Sequence, residues 1–482
     1  MIEPSVITAP PAQHTTITTP RPRIGPPWVV ALLLVLYFGL AAIMGTQTSC
    51  DNDYGGVFLP SARFVLAGRP LDMYQVVAGG NNPNPAYPNA NGPVGEVIIA
   101  GVLVPGRALG LQKIAPICPI TDPYPVPQDS IPLHLWVILI FALILLGIAA
   151  ELMRLLDRWQ PRPFTGWQRG LLWALILVSP PMWDSMIFYG HYEQLLALYF
   201  GLLAVRAYMG RKDAAGNPTG QHFALSGILL ALGLLCRTSD IFVAIPLGLV
   251  LLYEQRWWGA LRYVLGGVIT VGAILLPFYL HDRKDLLYSL SGFRGALGIG
   301  DGSFWTFFRS TPLEKLVQPL DSTTGLVAAT VMCVVLIWVG RVRSTDAAIY
   351  ALVCASCLWF PLSIKAVWGY YFADPLIWGL AWALTRPMLR QRWWEPIFIT
   401  VFFSVLMVLT EYRVQIVQEA HTGSTRTLVL LESGAECVTL LLFALLLGVG
   451  IAFAHRPTQE FRGIDDDLSN KSAQYLRASP TQ

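Results

Sequence analysis

Charge is what this chain has least of. Asp, Glu, Lys and Arg together make up 13% of its 482 residues, about half the share found in a soluble globular protein. A water-soluble domain is thereby excluded. The near balance of +3 at neutral pH leaves no basic face beyond what membrane topology demands, so nucleic acid is excluded as a partner. Alternation of polar and apolar residues is missing too, which rules out an outer-membrane β-barrel. No dense set of His, Cys, Asp and Glu offers a metal centre, so no cofactor is expected to be obligatory; a divalent cation stays open as an option, since two neighbouring carboxylates can share one. Cysteine is sparse, at seven residues, and most of it lies in apolar stretches as small filler. Cys50 and Cys118 differ, because both fall in one long loop; a disulfide there and two free thiols are equally open readings.

What fills the chain is apolar. Hydrophobic residues make up 54% of it and the mean hydropathy is +0.53. The apolar runs are continuous, and a hydrocarbon core of ~30 Å needs about 20 such residues per helix. On that criterion the fold expectation is an all-α polytopic membrane protein with about twelve transmembrane helices. They centre near Leu34, Ile140, Ile176, Leu198, Leu230, Leu247, Gly267, Val331, Cys354, Ile377, Phe402 and Phe443. The transmembrane domain runs over 27–455, between a Thr/Pro-rich tail at 1–26 and an acidic, Ser-containing tail at 456–482. The first tail has no apolar core or cleavage-like site, so it reads as disordered rather than as a signal peptide.

Basic residues gather in short loops around Arg154, Arg158, Arg211, Lys212, Arg256, Arg341, Arg386 and Arg390. Such loops stay in the cytoplasm, which places both termini there and the protein in the plasma membrane as a multi-pass component of the lipid bilayer. The two long loops, about 46–131 and 281–322, then face outward. Loops of that length carry function. The first also holds two helix-like pieces, 60–67 and 94–111, expected to lie along the membrane surface.

The polar residues that demand an explanation sit at outer turns. Asp51 and Asp53 follow the first span directly; a carboxylate there is either the start of a solvated loop or a general base. His191, Glu193 and Gln194 open a membrane helix at a tight hairpin. Glu193 either complements the helix N-terminus or helps wall a pocket with His191. Arg237 and Asp240 interrupt one apolar stretch and either neutralise each other or leave a guanidinium for phosphate. Lys365, ahead of Tyr370, Tyr371 and Asp374, goes against the positive-inside trend, as does Arg294 in the second long loop. Lys365 either snorkels to headgroups or holds an anion.

Four stretches carry a resemblance. Asp53-Tyr54 is followed by Ser61-Ala62-Arg63-Phe64-Val65-Leu66-Ala67-Gly68-Arg69-Pro70 and then by Tyr74. Gly190-His191-Tyr192-Glu193-Gln194 forms a hairpin, Gly227 through Arg237 an apolar helix ending in Arg, and Tyr370-Tyr371 precedes Pro375-Leu376. Together they resemble the GT-C class of integral-membrane glycosyltransferases, and are most similar to bacterial polyprenyl-phosphomannose-dependent mannosyltransferases. The chain departs from that pattern in its Asn-rich 81–93 and in having Lys365 or Trp368 where the family often has His. The resemblance implies transfer of mannose, or a related hexose or pentose, from a polyprenyl-phosphate-linked sugar donor to a glycolipid or cell-envelope glycan acceptor, with inversion, on the outer face. It implies Asp53 as base, with Asp51 as the fallback, and Lys365, Arg237 and Arg294 as ligands of the donor phosphate. His191, Glu193, Tyr370, Tyr371 and Trp305 would contact sugar or acceptor. A transporter or flippase of lipid-linked sugars is the alternative, and it would need repeats and ionisable residues at the membrane midplane.

Overall fold

A computed structural model describes residues 27–47, 54–74, 89–113, 130–157, 164–212, 218–292, 303–308, 311–317, 322–364, 367–385, 393–419 and 423–453. Apart from one antiparallel pairing of Arg211–Lys212 with Pro218–Thr219, every regular element among these is helical. In chain order the helices are α1 (Pro27–Gln47), α2 (Leu59–Leu66), α3 (Pro93–Ala108), α4 (Ile131–Asp157), α5 (Gly166–Leu177) and α6 (Pro180–Trp183). Then come α7 (Tyr192–Met209), α8 (Phe223–Cys236), α9 (Ile241–Tyr253), α10 (Trp257–Leu287), α11 (Glu314–Val317) and α12 (Ser322–Gly340). The last are α13 (Ala348–Cys357), α14 (Trp359–Ser363), α15 (Ala373–Thr385), α16 (Trp394–Glu419) and α17 (Gly423–Phe453).

Four helical stretches are long and apolar enough to cross a membrane: Ile131–Asp157, Trp257–Ser291, Trp394–Tyr412 and Leu431–Ala452. A bent pair, Gly166–Leu177 with Pro180–Phe188, makes a fifth if it counts as one span. Its 51° bend falls at Ser179-Pro180-Pro181, where the prolines remove amide donors and clash with the preceding turn. The other apolar helices, among them Phe223–Cys236 and Thr238–Tyr253, are shorter. The cause is legible in the last two: Arg237 turns extended between them (φ −149°, ψ 128°) and ends α8.

Polarity is arranged inside out. Large apolar side chains such as Leu33, Leu36, Val264, Val268, Val331 and Leu445 are exposed, while Glu96, Glu151, Asp184, Glu193, Arg237 and Asp240 are buried. That distribution suits a lipid exterior, where helix association depends on close packing rather than on the hydrophobic effect. Glycine supplies the closeness between α8 and α10. A Cβ on Gly227 would stand 2.0 Å from the Tyr263 carbonyl oxygen, and one on Gly266 would stand 2.4 Å from that of Ala224.

Helices α7 and α8 are antiparallel neighbours, with α4 against α7 and α10 against α8. A second group sets α13 against α9, α15 and α17, and α16 against α15. Two ends follow. At one, Glu151 near the end of α4 accepts from Arg206 near the end of α7 (2.7 Å), and Arg256 donates to Ser344 (3.0 Å) and Gln221 (2.8 Å). At the other end the start of α7, the end of α8 and the start of α15 come together. The helix-like pieces of the first long loop form as α2 and α3. Helix α3 packs against α4, α7 and α8 at that second end, with Glu96 fully buried.

Candidate functional site

The second end holds a cluster of buried polar side chains. Its frame is set by the turn after α6. A π-helical turn over Asp184–Phe188 leads to Gly190, whose φ of +66° favours glycine, and then to His191 at the mouth of α7. This geometry throws His191, Glu193 and Gln194 inward together, and all are buried. The end of α8 brings Arg237 to meet them. Its Nη1 donates to Glu193 Oε1 at 2.7 Å and lies 3.1 Å from His191 Nδ1. His191 also bonds Glu193 Oε1 directly. The third wall is the turn Gly369–Phe372, in front of α15. The Arg237 Cζ sits 5.2 Å from the centroids of both the Tyr370 and Tyr371 rings, close enough for cation–π attraction. The Tyr370 ring lies 3.9 Å from the His191 imidazole, and the Tyr370 carbonyl accepts from Gln194 at 2.9 Å.

More acids surround this core than bases. Asp374 faces the side chains of Gln194 and Ser239 and lies within electrostatic reach of Arg237. Asp240 is wedged between α7 and α8, where a Cβ on Gly233 would stand 1.8 Å from its Oδ2. From α3 comes Glu96; burial pushes its carboxyl well above the ordinary carboxylate range, and the nearby Glu193 charge adds to the rise. Burial of that kind favours the neutral form of a carboxyl. The cluster can therefore offer fixed acceptors and donors to hydroxyl groups, aromatic faces to a ring, and one guanidinium.

Of the candidate residues, taken from three separate turns, His191, Glu193, Arg237, Tyr370 and Tyr371 meet in one contact network. Arg237 is paired with Glu193 and not with Asp240, which corrects the neutralising pair considered above. Trp305 is tied to a different segment: its indole donates to the Leu362 carbonyl and its ring stacks on Phe308. Asp51, Asp53, Arg294 and Lys365, with Cys50 and Cys118, lie outside the described residues. The residue that follows Asp53 is described, and it touches the cluster's frame. Tyr54 donates its amide to the Tyr189 carbonyl (3.3 Å), and its ring meets Tyr192 edge-on at 5.2 Å. Phe58, one turn on, presents its ring to His191 at 5.3 Å.

Glu96 and Glu411 were not among the site candidates. The signal was in the sequence, since each acid stands beside a long apolar run, Glu96 before 97–104 and Glu411 after 396–409, and an acid so placed marks a functional or paired position. No protein-family model matches the chain, and no curated protein matches it in sequence.

Proposed function

We propose that this chain is an integral-membrane glycosyltransferase of the GT-C kind. It moves a sugar, mannose or a related hexose or pentose, from a polyprenyl-phosphate-linked donor to a glycolipid or cell-envelope glycan acceptor. About twelve helices cross the plasma membrane, both termini are cytoplasmic, and the polar cluster faces outward. One observation carries the reading. Residues distant in sequence meet in a single cluster of sugar-compatible side chains, and the segment beginning at Tyr54, next to Asp53, is fastened to its wall. Buried acids, an imidazole, an amide and paired tyrosines are the groups that hold sugar hydroxyls and faces.

The chemistry is one in-line displacement. The acceptor hydroxyl attacks the anomeric carbon and gives its proton to Asp53, with Asp51 as the fallback base. The bond from that carbon to the phosphate oxygen breaks, and polyprenyl phosphate departs with the electron pair. The leaving anion needs charge stabilisation more than protonation, a role assigned to Lys365 and Arg294. Arg237, with its charge committed to Glu193, joins them only by exchanging that partner; until then it orders Glu193 and His191. Trp305 is kept as an aromatic contact of the acceptor. The mechanism requires no cofactor, and transfer persisting in a chelator is its check on divalent cations.

The test uses membranes supplied with labelled polyprenyl-phosphosugar. Asp53→Asn abolishes product while the protein keeps its size-exclusion profile; continued transfer by that variant removes Asp53 from the role. A transporter or flippase of lipid-linked sugars is favoured by a different observation, the surplus of buried acids at Glu96, Asp240 and Asp374, since such groups carry protons in coupled transport. Purified protein in vesicles separates the two: a transferase yields a new glycosidic product, whereas a flippase moves intact donor between leaflets.

A further inference from the structure

The proposed chemistry leaves the first end of the molecule unused, where Arg206 meets Glu151. Five exposed tryptophans stand there: Trp167 at the start of α5, Trp257 and Trp258 at the start of α10, Trp338 near the end of α12 and Trp394 at the start of α16. Tryptophan so gathered sits at the headgroup level of a bilayer, its rings apolar and its indole N–H wet. The arginines of this end divide into two sets. Arg154, Arg169, Arg206 and Arg256 each have a carboxylate beside them, at 3.1, 3.1, 2.7 and 3.8 Å. Arg262, Arg341 and Arg343 are exposed and have no ion pair among the described residues. Asp346 binds Arg343 through the backbone amide, at 3.0 Å.

The structure fastens the segments that carry these three cations to one another. Ser344 donates its amide to Glu254 Oε1 at 3.1 Å and accepts from Arg256 at 3.0 Å, so the loop after α12 is tied to the loop before α10. Arg343 flanks Ser344 on one side of that seam, and Trp257 flanks Arg256 on the other. Arg262 follows Trp258 by four residues on α10, the spacing that puts both on one helix face, and both are exposed. Helix α9 contacts α10 and α12 alike and ends in exposed Leu252 and Tyr253. Arg341 has a φ of +48°, a left-handed backbone that glycine adopts without steric cost and other residues only with strain. Here that position carries an exposed guanidinium instead.

We propose that this seam binds an anionic phospholipid. Arg262, Arg341 and Arg343 engage its headgroup, and Trp257, Trp258 and Trp338 lie against its glycerol and upper acyl region. Charge complementarity selects that occupant: three guanidinium groups without an internal counter-ion match phosphate oxygens, for which their forked donors are suited. A zwitterionic lipid carries its own cation beside the phosphate and gains little from them. The inference rests on the membrane reading of the chain and is independent of the transferase chemistry.

The experiment takes the delipidated full chain in detergent micelles and needs no activity. Native mass spectrometry resolves successive bound lipids and gives the association constant of the first, with phosphatidylglycerol and phosphatidylcholine titrated separately. The wild type prefers phosphatidylglycerol, and the preference falls about fivefold for each of the three arginines changed to Gln. The double variant Arg341→Lys with Arg343→Lys keeps it, because the charge is kept. Arg341→Gly relieves the left-handed backbone, so it melts no lower than the wild type and still loses its fivefold share. Arg154→Gln, at the same end but paired with Glu151, leaves the preference within twofold. Equal binding of the two lipids by the wild type overturns the proposal, as does an Arg154→Gln variant that loses as much as Arg341→Gln. Displacement of the lipid by millimolar inorganic phosphate would assign the site to a soluble anion and overturn it equally.

Discussion

Replacing Arg237 by methionine removes the one guanidinium that the cluster is built around and keeps much of its volume. The side chain is 4% exposed and that of its partner Glu193 is fully buried, so the pair is largely shielded from water. Breaking a buried ion pair from one side costs about 3–5 kcal/mol, because the remaining charge is left unpaired. Each desolvated cation–π contact is worth about 2 kcal/mol, but Tyr370, Tyr371 and Glu193 act on the same cation, so these figures overlap rather than add. The expected loss is therefore about 3–5 kcal/mol, or roughly two to four decades in the folded-to-unfolded ratio. The assay is SDS titration of the protein in mixed micelles, followed by circular dichroism. A double variant, Arg237→Met with Glu193→Met, removes both charges and recovers most of the loss, since buried pairs replaced by apolar groups are often neutral. A single variant within about 1 kcal/mol of wild type, typical of an exposed pair, would refute the reasoning. So would a double variant that costs the sum of the two singles.

Further outcomes follow from other contacts. Gly233→Ala drives a methyl group to 1.8 Å from Asp240 Oδ2 and costs about 1–3 kcal/mol by overpacking, read as a lower midpoint in the same titration. Gly101→Ala, with nothing within 4 Å of the new atom, stabilises α3 by up to about 1 kcal/mol. The turn at Pro70–Tyr74 is clasped to α10 by Asp72, which accepts from His281 at 2.8 Å and from Arg69 at 2.6 Å. The bond to His281, and then Arg69, holds the Asp72 carboxyl below its ordinary range. The contribution of Asp72 is thus fully present above the ordinary carboxylate value near 4 and is lost as pH falls through the lowered one. Hydrogen exchange over 70–74 checks this: protection holds at pH 5, fades only below about 4, and is absent throughout in Asp72→Asn.

The helical, strongly apolar character of this protein is written in its composition, because a chain so poor in charge and so rich in continuous apolar runs forms helices long and apolar enough to cross a membrane. The sequence also marks where the polar exceptions lie. Acids and bases at the ends of apolar runs, such as Glu193 and Arg237, must either reach water or find each other, and that rule singles them out before any coordinate. Which of them find each other is not a local property. Arg237 has Asp240 three residues away, yet it pairs with Glu193 on another helix. Asp240 instead sinks into a slot that Gly233 and Gly201 leave between α7 and α8. The burial of Glu96, and the convergence of Asp184 and Glu411 on Gly369, likewise depend on helix contacts spanning up to hundreds of residues, and local periodicity carries no information about those. Sequence decided the apolar helices and the candidates; packing of helix ends decided the partners.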